Sequence, residues 1–491
     1  MRLPAALLLA ALALPAQAQE GDIITKQYDD GSVYEGTFLN GRQHGMGTYR
    51  LPSGFTYSGE WVDGEITGVG TARYPNGSVY EGSFVKGQPE GKGKITAPDG
   101  RTYEGDWVQG QMTGTGKATY ANGSAYEGSF VKGTHNGKGK LTNPSGYTYE
   151  GDWVLGVKEG QGRITYPDGT VYEGTLVKGQ RSGKGKLTMP DGLIYQGDWA
   201  EGQINGTGML TQPNGDVYEG SFKDGLRDGT GKLTHKDGDI YYGAWVKDRR
   251  QGQGSFTTAD GFKYEGTWVA GRMEGTGSIT YPDGSVYIGA MKADQPNGQG
   301  AITYPDGSTY QGNWVAGVIE GQGRATYTDG RVYEGAFRQA KPEGKGTMTY
   351  PDGYRYEGDW VAGQRQGVGS AVYPDGSLYK GDFKAGLRDG QGEFSTTDGF
   401  KYVGTWVAGQ IEGQGIATYP EGDVYEGLFK AGKREGQGKL TYSSGEVAEG
   451  IWQNGILTAP PEAPAEAAPA EGGAPAEPAE GTAPAEPATN P

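Results

Sequence analysis

One phrase recurs through this chain every 23 residues, without an insertion or deletion. From Tyr80 it reads YEGSFVKGQPEGKGKITAPDGRT, and from Tyr103 it reads YEGDWVQGQMTGTGKATYANGSA. The tyrosine that heads it stands at Tyr34, Tyr57, Tyr80 and onward to Tyr425, and Ala448 takes the nineteenth place. Counting that tyrosine as position 0, glycine columns fall at +2, +7, +11, +13 and +20, and they hold all but four of the 94 glycines. Glycine here is placed rather than scattered, so a composition that elsewhere suggests low complexity becomes the mark of a repeat array. In such an array each unit buries its apolar side against its neighbours.

The periodicity within a unit is that of strands. Positions 0, +2 and +4 are Tyr, Gly and an aromatic, alternating with Glu at +1 and Asp, Ser or Thr at +3, which is a period of two with one apolar face. A second strand is predicted over +11 to +17, as in Gly91–Ala97, where Gly, Gly and Ile95 alternate with Lys and Thr. Turns such as Pro-Asp-Gly separate one unit from the next. Each unit thus reads as a β-hairpin. The fold expected is all-β: about 19 stacked 23-residue hairpins in one elongated, twisted antiparallel sheet, roughly 180 Å in contour at ~4.8 Å per strand. The glycine between two aromatics leaves a gap into which a neighbouring ring can lie. Glu at +1 can pair with Lys or Arg of an adjacent strand.

All ten tryptophans occupy +4. Trp61, Trp107, Trp153, Trp199 and Trp245 are 46 residues apart, as are Trp268, Trp314, Trp360, Trp406 and Trp452, and the phase slips once between Trp245 and Trp268. Duplication of a two-repeat unit accounts for the alternation. The sharper reading puts a bend or a dimer contact near residues 245–268.

Both ends differ from the array. Residues 1–18 carry Arg2, an apolar run from Leu3 to Leu14 and Ala16-Gln17-Ala18, the pattern of a secretory signal cleaved after Ala18. Residues 19–27 read as a short linker, 28–458 as the array, and 459–491 as a disordered Pro/Ala/Glu-rich acidic tail, a solubilising spacer or a docking peptide. Tyr28, Ala448 and Ala459 mark atypical terminal units that cap the array. The chain has no cysteine, which suits an exported, periplasmic or secreted protein stable without cross-links. Once Arg2 leaves with the signal, 43 basic residues face 60 acidic ones. Such a charge repels nucleic acid.

The motif Tyr-Glu-Gly-x-Trp/Phe, x-x-Gly, Gly-x-Gly, Tyr-Pro-Asp-Gly at a 23-residue pitch resembles the MORN repeat family, over residues 28 to about 458. The resemblance implies an elongated antiparallel sheet, frequent homodimers, and work as a scaffold or membrane-associated interaction module.

No singular chemistry emerges. His44, His135 and His235 lie in three different columns about four repeats apart, too far to share a metal or a dyad. The carboxylates recur as columns, and Asp in Pro-Asp-Gly fits turn chemistry rather than a calcium site. Gly-x-Gly sits inside a strand and not before a helix. No catalytic, cofactor-binding or metal-ligating residue is assigned, and no cofactor is expected. The function expected is a non-catalytic scaffold for protein partners, with glycan, cell-envelope or lipid binding as the alternative.

Overall fold

The computed structural model describes residues 21–459. Residues 1–18, read from the sequence as a secretory signal, and the tail beyond Ala459 lie outside the described residues. Among the described residues there is no helix, and 39 strands, β1–β39, follow one another in chain order. They divide into two compact units, one ending at Lys236 and one beginning at Asp237. Within each unit every strand pairs antiparallel with its sequence neighbours, giving an open sheet.

One repeat shows how the chain builds both. β6 (Val79–Val85) and β7 (Gln88–Thr96) form a hairpin, and β8 (Thr102–Val108) begins the next. Lys86 and Gly87 make the turn at φ 47° and 76°. Two positive φ values in succession define the hairpin turn whose twist matches the strands. Tyr80 lies opposite Ile95, and Gly82 opposite Gly93. The register then shifts, so that Phe84 faces Pro89. The second strand therefore starts at +8, three residues earlier than its alternation indicates. Gly91 at +11, with φ 76°, absorbs the extra residues as a bulge. Toward the next repeat the register is regular: Ile95 faces Tyr103, Gly93 faces Gly105 and Gly91 faces Trp107.

The connection between hairpins is equally fixed. Gly100 N–H donates to Ala97 O at 3.0 Å, and Ala97 N–H to Arg101 O at 2.8 Å. Asp99 Oδ1 accepts the Arg101 N–H at 3.2 Å, the turn chemistry expected of Pro-Asp-Gly.

The terminal elements refine the sequence boundaries. β1 (Ile24–Gln27) comes from the segment read as a linker and pairs with β2 (Val33–Leu39), with Lys26 opposite Tyr34. At the other end, β38 (Val447–Gln453) and β39 (Ile456–Ala459) make a truncated nineteenth hairpin in which Trp452 is still buried.

Candidate functional site: an occupied aromatic face and a charged trough

The apolar face is filled by its own rings. The Tyr80 ring folds across Gly82 and Gly93. A Cβ on Gly93 would stand 2.1 Å from Tyr80 Oη, and one on Gly82 would stand 2.4 Å from the Gly93 Cα. The gap left by the glycine is thus taken by the repeat's own tyrosine rather than by a neighbour's ring, which corrects the sequence expectation. Tyr80 Oη donates to Ser83 O at 3.0 Å. Most such rings then meet two +4 aromatics edge-on: Tyr80 lies 5.0 Å from Phe84 and 5.0 Å from Trp107, and Tyr103 lies 5.4 Å from Trp107 and 4.9 Å from Phe130. Trp107 Nε1 donates to Gly93 O at 3.0 Å. Edge-to-face pairs of this kind contribute about 0.5–1.5 kcal/mol each beyond area burial.

Burial pushes the Tyr80, Tyr103 and Tyr195 phenols up to about 12, and those of Tyr149 and Tyr402 further still. The same shift with the same cause in unit after unit belongs to a packing column. A tuned catalytic group would stand apart from its equivalents.

The phase slip falls in the second unit. Most position-0 tyrosines lie between a Trp and a Phe; Tyr241 lies between Trp245 and Trp268, 5.2 Å from each. Both indoles are buried, so the slip is accommodated inside the aromatic row.

Two further columns do work that their sequence conceals. At +9 the residue type varies from Pro89 to Met112, His135, Lys158, Arg181 and Ile204, yet unlike side chains lie on the position-0 ring, Lys158 5.2 Å from Tyr149 and Arg181 5.9 Å from Tyr172. His135 stacks on Tyr126 at 3.6 Å and shares a 2.6 Å hydrogen bond with Tyr120 Oη; burial holds its pKa below the usual histidine value. In the second unit the column closes. Arg365, Arg388 and Arg434 are buried, and the Arg388 guanidinium lies 4.3 Å from the Trp406 ring. Arg365 also donates to Tyr354 Oη and, at 2.6 Å, to Gly386 O. At +10, a polar side chain accepts the exposed N–H of the next hairpin's turn: Glu90 Oε2 from Gln109 at 2.7 Å, Asn205 Oδ1 from Asp224 at 2.9 Å, and Glu435 Oε2 from Asn454 at 2.9 Å.

His44 lies 3.7 Å from Asp63, and His235 lies 3.0 Å from Asp216. The structure brings none of the three histidines together, and among the described residues no group of three or more His, Cys, Asp or Glu is placed to hold a metal.

The opposite face is charged and open. In the first unit a trough of about 1380 Å³ runs across the strands, floored by the +2 and +13 glycines and walled by charged side chains. Its ions are paired across strands, as the columns imply. Lys92 Nζ lies 2.6 Å from Asp106 Oδ1, and Lys138 stands likewise 2.6 Å from Asp152. Lys94–Glu104 and Lys140–Glu150 are looser, at 3.7 Å. The hydrogen bond from Lys92, with one from the Thr115 N–H, holds the Asp106 carboxyl below its ordinary range.

The family model of the MORN repeat matches eighteen times between residues 34 and 447. No curated protein matches. Among solved structures, the TCP domain of SAS-4 from Drosophila melanogaster, in complex with a proline-rich motif of Ana2, is 22% identical. That match covers 32% of this chain and 89% of that one, at a TM-score of 0.22. The TCP10 domain of Danio rerio CPAP, in complex with a STIL peptide, is 18% identical over 55% of this chain and 93% of that one, at a TM-score of 0.14. Scores this low do not speak for a shared function.

Proposed function

Because the chain belongs to the MORN repeat family, we propose that it is a non-catalytic scaffold of the cell envelope. Residues 1–18 direct its export, and the mature array holds protein partners in the periplasm or outside the cell. The observation that carries this reading is the division of labour between the two faces. The aromatic face is consumed by self-packing, with Tyr57, Tyr80 and Tyr126 fully buried, whereas the charged face is open and repeats one geometry over several hairpins. A surface of this kind offers many equivalent contacts and no privileged atom, which suits avid docking better than turnover. It also favours protein over glycan, because glycan stacking on the Tyr and Trp columns would require rings that already face one another.

The test is site-specific photocrosslinking in the native envelope, with the reactive residue at Thr115 in the trough. Capture of a defined protein is expected, together with a mature N-terminus at Gln19. Adducts with glycan or lipid alone would overturn the reading.

A further inference from the structure

The glycines that floor the trough stand opposite one another without interruption. Gly93 faces Gly105, which faces Gly116, and the ladder continues through Gly128, Gly139, Gly151 and Gly162 to Gly174. These are eight consecutive strands, from β7 to β14 (Val171–Val177), so at ~4.8 Å each the floor runs about 34 Å. Because a glycine carries no side chain, a ligand lying there rests on backbone.

Within the trough +14 is a cation in four successive hairpins, Lys94, Lys117, Lys140 and Arg163, each opposite a +1 glutamate on either side. The same position reads Thr48 and Thr71 before Lys94 and Met209 after Lys186, and in the second unit it reads Ser255, Ser278 and Ala301 before Arg324 and Thr347 after it, so the run of five cations from Lys94 to Lys186 belongs to the first unit. In a chain of net charge -16, the trough lining holds six cations against five carboxylates. Asp106 and Asp152, paired with Lys92 and Lys138, bring it close to neutral, so the trough is less acidic than the molecule as a whole.

The spacing of that column matches another period in the same chain. Successive cations are one hairpin apart, about 9.6 Å along the sheet. A polyproline II helix repeats every three residues, or about 9.3 Å. The stretch 469–488, PAEGGAPAEPAEGTAPAEPA, is written in threes: prolines stand at 469, 475, 478, 484 and 487, and glutamates at 471, 477, 480 and 486. Every glutamate therefore falls on one edge of such a helix. With Glu471 at Lys94, Glu477 lies about 18.6 Å along and Glu480 about 28 Å. Lys140 and Arg163 stand at about 19 and 29 Å. Mismatch of about 1 Å over the whole run is within the reach of a lysine. Ala474 then falls at Lys117, and an ammonium already sharing one carboxylate at 3.7 Å has further N–H groups to give.

We infer that the trough of one copy takes up residues 471–480 of a second copy, laid across the strands as a polyproline II helix with Glu471, Glu477 and Glu480 on Lys94, Lys140 and Arg163. The inference rests on the reading of the array as a protein-binding scaffold, and it names a ligand for that scaffold. It makes the protein self-associating, tail into trough.

The probe is a labelled peptide of residues 469–488, titrated into the full chain at a dilution that suppresses self-association. Saturable binding that weakens with added salt is expected. A permuted peptide of identical composition, with the threefold glutamate spacing broken, should bind about tenfold more weakly, and so should the Lys94→Glu/Lys117→Glu/Lys140→Glu variant with the native peptide. Equal binding by the permuted peptide, unchanged affinity of the variant, or no saturation overturns the inference. The peptide comparison uses the unaltered protein and so stands even if the variant misfolds. Capture of another protein at Thr115 decides the scaffold reading separately.

Discussion

Each tyrosine at position 0 holds its repeat together in two ways. Its ring covers a pair of facing glycines, and its hydroxyl ties back to the main chain three residues on, as from Tyr218 to Ser221 O at 3.0 Å. Ionising such a phenol in place strands a charge among rings. The folded pKa, about 12 for Tyr80 and Tyr195, is raised above the ordinary tyrosine value of 10.0. The folded state therefore keeps protons that the unfolded state releases. The stabilisation is complete below pH 10 and lost as pH rises through 12. Alkaline titration followed at the phenolate absorbance band should show the buried tyrosines ionising together with loss of β-sheet circular dichroism. Gradual ionisation near 10 with the sheet intact would contradict the packing. The tyrosine, glycine and tryptophan columns were legible in the sequence, because residue type and period two both point to one face. The +9 column was not. Lys158, His135 and Arg388 differ in shape and charge, and what they share is a place against a ring that only the bulge at +11 creates.

At the scale of the hairpin, the turn carries most of the strain. Nearly all the residues at +6 are left-handed without being glycine, and Leu155 is among them, at φ 48° and 75% exposed. A branched apolar residue gains nothing there, whereas asparagine tolerates the conformation and precedes the Gly156 of an Asn-Gly turn. Leu155→Asn should stabilise this hairpin by about 0.5–1 kcal/mol, read as slower amide exchange across Val154–Val157. Faster exchange would mean that the exposed leucine has a contact worth more than the turn. Pro-Asp-Gly announced the other turn from sequence alone. The cap at +10 stayed hidden because Glu90, Asn205 and Gln251 look like solvated polar residues until the next repeat's N–H is seen beside them.

At the scale of the whole molecule, the two units share a repeat but not a packing density. The +9 residues of the first unit are all half-buried, whereas from Pro296 to Arg434 in the second unit they are buried, Arg365 and Arg388 included. Tyr350, Tyr354, Tyr373, Phe400 and Tyr419 add a second buried aromatic row there, with Tyr354 5.1 Å from Tyr350 and 5.2 Å from Tyr373. Repeat arrays unfold by segments rather than all at once. In rising denaturant, hydrogen exchange should reach β2–β18 (Val217–Lys223 is the last of these) before the repeats from Pro296 to Leu440. Simultaneous loss of protection would show that burial at +9 contributes little.

The stitches at the turns set a rule for how such a chain can change length. Gly110 N–H donates to Pro89 O of the preceding hairpin, and Glu90 reaches forward to Gln109. Both bonds are counted in residues, 21 back and 19 forward. A deletion of one residue breaks both and turns every following side chain to the wrong face. A deletion of 23 starting anywhere restores the bonds and the phase. The array is thus divisible only in whole repeats, like a tape that can be spliced at any mark but never between marks.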